Sequence, residues 1–160
     1  MIISYWKVIG LYWANDMKYM GSKNRIAKEI LPLILEGRKP NQWYVEPFVG
    51  GCNMIDKVDG FRIGSDSSPY LIALFQALQR GWIPPQKITQ EEYKHIQQNK
   101  DQYDKHLVGY VGFNLSYGAK WFGGYRRDKA GVISYAREAF NNVMKQVPNI
   151  KGVAFSCVPY

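Results

Sequence analysis

The sequence predicts an α/β fold built on a small parallel sheet, and three observations lead there. Short β-prone runs alternate with helical patterns; a loop ending in a glycine pair, Glu46 to Gly51, follows the first run directly; and an acid, Asp66, stands at the end of the second. A chain of 160 residues with 46% hydrophobic and 15% aromatic content is long enough to bury one compact core, so a single folded unit is the expectation.

The elements follow in order. Residues 1–16 carry aromatics without a period and read as an amino-terminal extension. From Asn24, Ile26, Ile30 and Leu33 recur at spacings of four and three and predict one buried helix face. Pro32 should kink or shorten that helix, which gives way near Gly37. Trp43, Tyr44 and Val45 form a β-prone run that stops at Glu46-Pro47; a helix is expected after the glycines, and Phe61 to Gly64 form the second run. Ser67 or Ser68 can cap the next helix, Pro69 suits its first turn, and Leu71, Ile72, Leu74, Phe75 and Leu78 supply its apolar face.

Beyond Pro84-Pro85, Thr89 with Glu92 fits a capping box. A stretch rich in glycine and aromatics runs over 107–127, a helical pattern extends from Val132 to Val147 before Pro148, and Gly152 to Cys157 reads as a last short strand. Cys52 and Cys157 have neither a CxxC partner nor clustered histidines, so a zinc site or disulfide framework is not indicated and both are expected to be buried packing residues.

The chain carries 21 Lys and Arg against 13 acids, a formal charge of +8, which favours polyanionic partners such as nucleic acid. Eleven of the basic residues and six of the acids lie between Lys87 and Lys151, so the surplus is concentrated in the second half. No apolar run reaches 18 residues and no signal-peptide pattern opens the chain, so it reads as soluble, cytoplasmic and without a membrane partner.

Three constellations could carry chemistry. In a nucleotide-type α/β unit, glycines after the first strand let a ligand approach the backbone, and an acid after the next strand accepts from ribose hydroxyls. Glu46-Pro47-Phe48-Val49-Gly50-Gly51 with Asp66 fits that scheme, but the loop is not GxGxxG, which leaves adenosine-bearing ligands other than dinucleotides open. An ordinary strand-to-helix turn and a helix cap suit the same residues. Lys23, before the first helix, could meet an anionic group or simply be solvated. Lys120, Tyr125, Arg126 and Arg127 lie in an aromatic, basic loop suited either to nucleic acid or to packing on the core.

Taken together, KYMGSKNRIAKEILP, YVEPFVGGCNMI, GSDSSPYLIALFQAL and NLSYGAKWFGGYRRD resemble the Dam-type N6-adenine DNA methyltransferases, especially phage-borne members, over nearly all of residues 17–160. The resemblance implies a partial Rossmann-like, S-adenosylmethionine-dependent fold with an inserted, mainly helical DNA-recognition region. Residues 17–85 would form the cofactor-binding α/β region, 86–150 the DNA-recognition region, and 151–160 a returning strand. It implies that Tyr19 and Lys23 approach the methionine part of the cofactor, that Glu46, Pro47, Phe48, Gly50 and Gly51 form the cofactor loop, and that Asp66 binds the ribose. Tyr160 would stand at the aromatic position beside the adenine. Double-stranded DNA would meet Lys120, Tyr125, Arg126 and Arg127.

The family's catalytic Asp-Pro-Pro-Tyr motif, which holds a flipped adenine, is absent from the sequence. The tail Ser156-Cys157-Val158-Pro159-Tyr160 lacks its acid and one proline. On this alignment the catalytic strand would lie beyond residue 160, so the chain resembles a truncated methyltransferase with no catalytic residue of its own. The alternative is a non-catalytic remnant that binds DNA or cofactor, or one half of a split enzyme whose open sheet edge is covered by the extension, a second copy or a complementary carboxy-terminal half.

Overall fold

The computed structural model describes residues 16–128 and 133–159. Three parallel strands, β1 (Tyr44–Glu46), β2 (Arg62–Asp66) and β3 (Val153–Cys157), lie in the order β1-β2-β3. Val45 pairs with Ile63, and Asp66 at the end of β2 stands level with Cys157 of β3. The alternation of β-prone runs and helices thus builds a mixed α/β unit with the parallel strands expected of it.

Helix α1 (Ala27–Ile34) is cut to eight residues, with Pro32 inside it. Its buried face is Ala27 and Leu31, whereas Ile26 and Leu33 are exposed and Ile30 is half-buried, so the predicted Ile26/Ile30/Leu33 face is corrected by one position. The apolar arc of this helix is broad, running from Ile26 and Leu33 through Ile30 to Ala27 and Leu31, and its Ala27/Leu31 side meets the core while Lys28 and Glu29 are exposed. No α-helix follows the glycines: only a 3-10 turn, Ile55–Lys57, forms there. Residues 51–56 are all buried, and a surface helix cannot bury six consecutive residues.

Helix α2 (Pro69–Gln79) starts as predicted, with the Ser68 hydroxyl accepting from the Leu71 N–H and Pro69 in the first turn. Its apolar residues Leu71, Ile72, Leu74, Phe75 and Leu78 are buried, and Phe75 stacks on Phe155 of β3 with ring centroids 5.1 Å apart. Helix α3 (Gln90–Gln98) carries the Thr89/Glu92 capping box. The glycine-rich stretch becomes α4 (Lys105–Gly109), a π-helical turn over Tyr110–Asn114 and a 3-10 turn over Tyr117–Ala119.

The last helix, α5 (Tyr135–Ile150), runs through Pro148, where the sequence predicts its end; Val132, its predicted start, lies outside the described residues. The carbonyls at its carboxyl end are taken by side chains from elsewhere. Arg62 donates to Asn149 and Lys151, and Gln79 donates to Ile150 and Val153. These bonds satisfy acceptors that have no partner within a helix, and they tie α5 to the sheet.

Phe75, Tyr93, Tyr110, Ile55 and Val111 belong to one hydrophobic cluster that spans both halves of the chain. Cys52 is buried within it, but Cys157 is exposed, which corrects the expectation that both cysteines pack inside. Among the described residues β3 pairs only with β2, and its burial fades along its carboxyl-terminal half, where Cys157 lies. Among the described residues no helix is long and apolar enough to cross a membrane.

Candidate functional site

A cleft of about 330 Å3 opens at the carboxyl ends of β1 and β2. Tyr19, Lys23, Glu46, Phe48, Gly50, Gly51 and Asp66 all line it, although they come from three separate segments. Pro47 lies in the same loop but does not line the cleft; its carbonyl accepts from the Ser65 hydroxyl at 3.3 Å. Tyr160 lies outside the described residues.

Gly50 has φ +48°, in the left-handed region, and a Cβ placed on it would sit 2.9 Å from the Tyr19 ring. A Cβ on Gly51 would sit 2.7 Å from Tyr19 Cβ and 2.9 Å from Asn53 Nδ2. The glycines therefore do more than expose backbone to a ligand. They admit the Tyr19 ring against the loop, and so bring the segment before α1 to the mouth of the cleft.

Asp66 holds the same loop from the other side. One carboxylate oxygen accepts from the Gly50 N–H at 3.1 Å and the other from the Ser68 N–H at 3.0 Å. The residue thus closes the turn before α2, as a cap would, and each oxygen retains a lone pair for a further donor. Glu46, at the end of β1, is half-buried, and burial pushes its carboxyl up to about 7, against the opposing pull of the Ile55 backbone and of Lys23. Lys23 is exposed at the rim.

A larger hollow of about 700 Å3 adjoins the cleft across Tyr19 and is lined by Lys18, Arg25, Asn114, Ser116 and Arg126 among others. Here the segment before α1 meets the basic half of the chain. Lys18 and Arg126 both pair with Glu138 of α5, and the Arg126 guanidinium lies 3.9 Å from the Tyr135 ring centroid. Arg127 is exposed and reaches Gln90 at 3.4 Å, and Lys120 is exposed. Tyr125 donates to the Ile88 carbonyl at 2.6 Å and packs 5.5 Å from Tyr93, so its ring and hydroxyl are engaged in the core.

Sequence reasoning missed the buried polar residues in and behind the cleft wall. Asn53, Asp56 and Gln146 are buried and bonded to one another and to the loop. Gln146 stands 93 residues from Asn53, and its position in an amphipathic helix pattern gave no cue that its amide would meet the glycine loop.

The fold and this crevice define an α/β protein that presents a glycine loop and an acid at the carboxyl ends of neighbouring parallel strands, the usual place for a ligand in such sheets. The chain matches the family model of the D12 class N6 adenine-specific DNA methyltransferases over residues 19–150, and it belongs to that family. No curated protein matches it.

Proposed function

We propose that this chain binds S-adenosylmethionine in the cleft beside β1 and β2 and double-stranded DNA on the basic half, residues 86–150, as the holding part of an adenine N6 methylation system in the cytoplasm. The observation that carries the reading is convergence: Tyr19, Lys23, Glu46, Gly50, Gly51 and Asp66, far apart in sequence, line one cleft in a chain of this family.

The residues present suit the cofactor. The free lone pairs of Asp66 can accept from ribose hydroxyls; Lys23 and Tyr19 offer a cation and an aromatic face to the amino-acid end; Phe48 is an exposed aromatic at the rim. When bound, S-adenosylmethionine supplies an electrophilic methyl group. The chain's own work is to hold the cofactor and, through Lys120, Arg126 and Arg127, to neutralise DNA phosphates. Arg126 must exchange Glu138 for a phosphate to do so. Tyr125 would contribute by bracing the loop that carries these arginines.

The sequence contains no Asp-Pro-Pro-Tyr motif to clamp and polarise the adenine amino nitrogen, and such positioning and electrostatic effects carry much of a transfer rate. Little or no methyl transfer is expected from this chain alone. An assay with purified protein, labelled cofactor and adenine-containing duplex tests this, and robust methylated product would overturn it.

A second reading makes the chain one half of a split enzyme or a binding remnant. It is favoured by β1, which among the described residues pairs only with β2 and leaves Trp43 and Val45 more than half exposed. Light scattering on the eluting protein tests this reading. A second copy or a bound complementary half supports it, and a monomer at all concentrations that captures no complementary segment contradicts it.

A further inference from the structure

Two buried amides meet at the cleft, Asn53 in its wall and Gln146 behind it, and neither has a part in the function proposed above. Asn53 is 4% exposed and Gln146 2%. Asn53 Nδ2 donates to the Met17 carbonyl at 3.1 Å and to Ser22 Oγ at 2.6 Å, so a single side chain grips both ends of the segment that carries Tyr19. Gln146 Nε2, from α5, donates to the Gly51 carbonyl at 3.0 Å and to Asp56 at 2.9 Å, and lies 3.4 Å from Asn53 Oδ1. Lys57 donates to the Asn53 carbonyl at 3.0 Å and pairs with Asp56 and Asp16, each at 2.8 Å. The orientation of both amides follows from their partners, since backbone carbonyls and a carboxylate can only accept.

Residues 17–22 form neither helix nor strand, with a turn only at Met20-Gly21. Such a segment has no ladder of backbone bonds to hold it, so tertiary bonds decide its position. It is also fastened by Lys18 to Glu138, by the Met20 N–H to the Ala119 carbonyl at 3.3 Å, and by the Tyr19 ring against Phe113. Those ties all lead to the basic half. The Asn53 bonds lead to the glycine loop, and they fix how the segment stands relative to Gly50 and Gly51.

We propose that Asn53 is a positioning residue for cofactor binding: it sets the segment bearing Tyr19 and Lys23 against the glycine loop, while Gln146 holds Asn53 and Gly51 in place from α5. The inference rests on the cofactor reading given above. Asn53 and Ser22 also line the cleft, but loosening the segment makes ligand binding bear the cost of ordering it, which weakens affinity beyond any direct contact and shows first in the ligand-free protein. It also makes α5, from the basic half, part of the support of the cofactor cleft.

Hydrogen exchange by mass spectrometry on the ligand-free protein, paired with calorimetric titration by S-adenosylmethionine, tests the proposal. Asn53→Ala removes the hub, and Ser22→Ala removes only a hydroxyl at the half-buried end, so it keeps the test open if Asn53→Ala fails to fold. The expected result for Ser22→Ala is exchange about tenfold faster over residues 17–23 with α2 unchanged, and affinity weakened about tenfold, the size of one lost hydrogen bond; Asn53→Ala, which loses two, should exceed it in both. Exchange that rises equally in α2, or that stays unchanged in residues 17–23, would overturn the positioning role. Failure of the wild type to bind cofactor, with the exchange pattern as expected, would overturn the cofactor reading and support the role of Asn53 in placing the segment.

Discussion

Gly50→Ala probes the contact that forms the cleft. The new methyl would stand 2.9 and 3.1 Å from two carbons of the Tyr19 ring, where ordinary carbon contacts are 3.5–4.0 Å, so ring or loop must move by roughly half an ångström or more. Overpacking of this kind costs about 1–3 kcal/mol. The backbone at φ +48° adds its own penalty, about 1–2 kcal/mol for a residue with a Cβ in the left-handed region. The single substitution should therefore destabilise the protein by about 2–5 kcal/mol. In a Tyr19→Ala background the ring is gone, and only the backbone penalty of about 1–2 kcal/mol should remain. Urea unfolding of the wild type, both single variants and the double variant closes the cycle. A coupling of at least about 1 kcal/mol is expected. Equal cost of Gly50→Ala in the two backgrounds would refute the claim that the glycine is there to admit Tyr19.

Asp66→Asn should cost about 1–3 kcal/mol in unfolding experiments, because the amide turns an N–H donor toward either the Gly50 or the Ser68 N–H. The Glu46 carboxyl, raised to about 7 when folded, binds protons more tightly in the native state than in the unfolded one. Its favourable contribution is complete below its ordinary value and is lost as pH rises through 7, so wild-type unfolding free energy should fall from pH 5 to 8 relative to Glu46→Gln; parallel profiles would contradict this. Arg127→Ala and Lys120→Ala should each flatten the salt dependence of DNA binding by about one unit of log-log slope, measured by fluorescence anisotropy, if each meets a phosphate.

The parts of the molecule governed by local chemistry were legible in the sequence. Ser68-Pro69 starts α2, Thr89 and Glu92 cap α3, and the β-prone runs at Tyr44, Arg62 and Val153 become strands. Glu46, Gly50, Gly51 and Asp66 were recognisable because their order along the chain follows from the strand-loop-strand arrangement. What was hidden depends on partners distant in sequence. The buried face of α1 is selected by what packs on it, since its apolar arc is broader than the strip that meets the core. The carbonyls of Asn149 and Ile150 at the end of α5 meet Arg62 and Gln79 only in the folded chain. Glu138 draws Arg126 out of open solvent, and Asn53 and Gln146 meet only once the fold is complete.

The most direct test of the central claim is calorimetric titration of the purified chain with S-adenosylmethionine, repeated on Asp66→Ala. A single site in the wild type is predicted, with affinity reduced tenfold or more in the variant, as expected when hydrogen bonds to a charged group are lost. A wild type that shows no binding, or a variant that binds equally well, would contradict the assignment of this cleft to the cofactor.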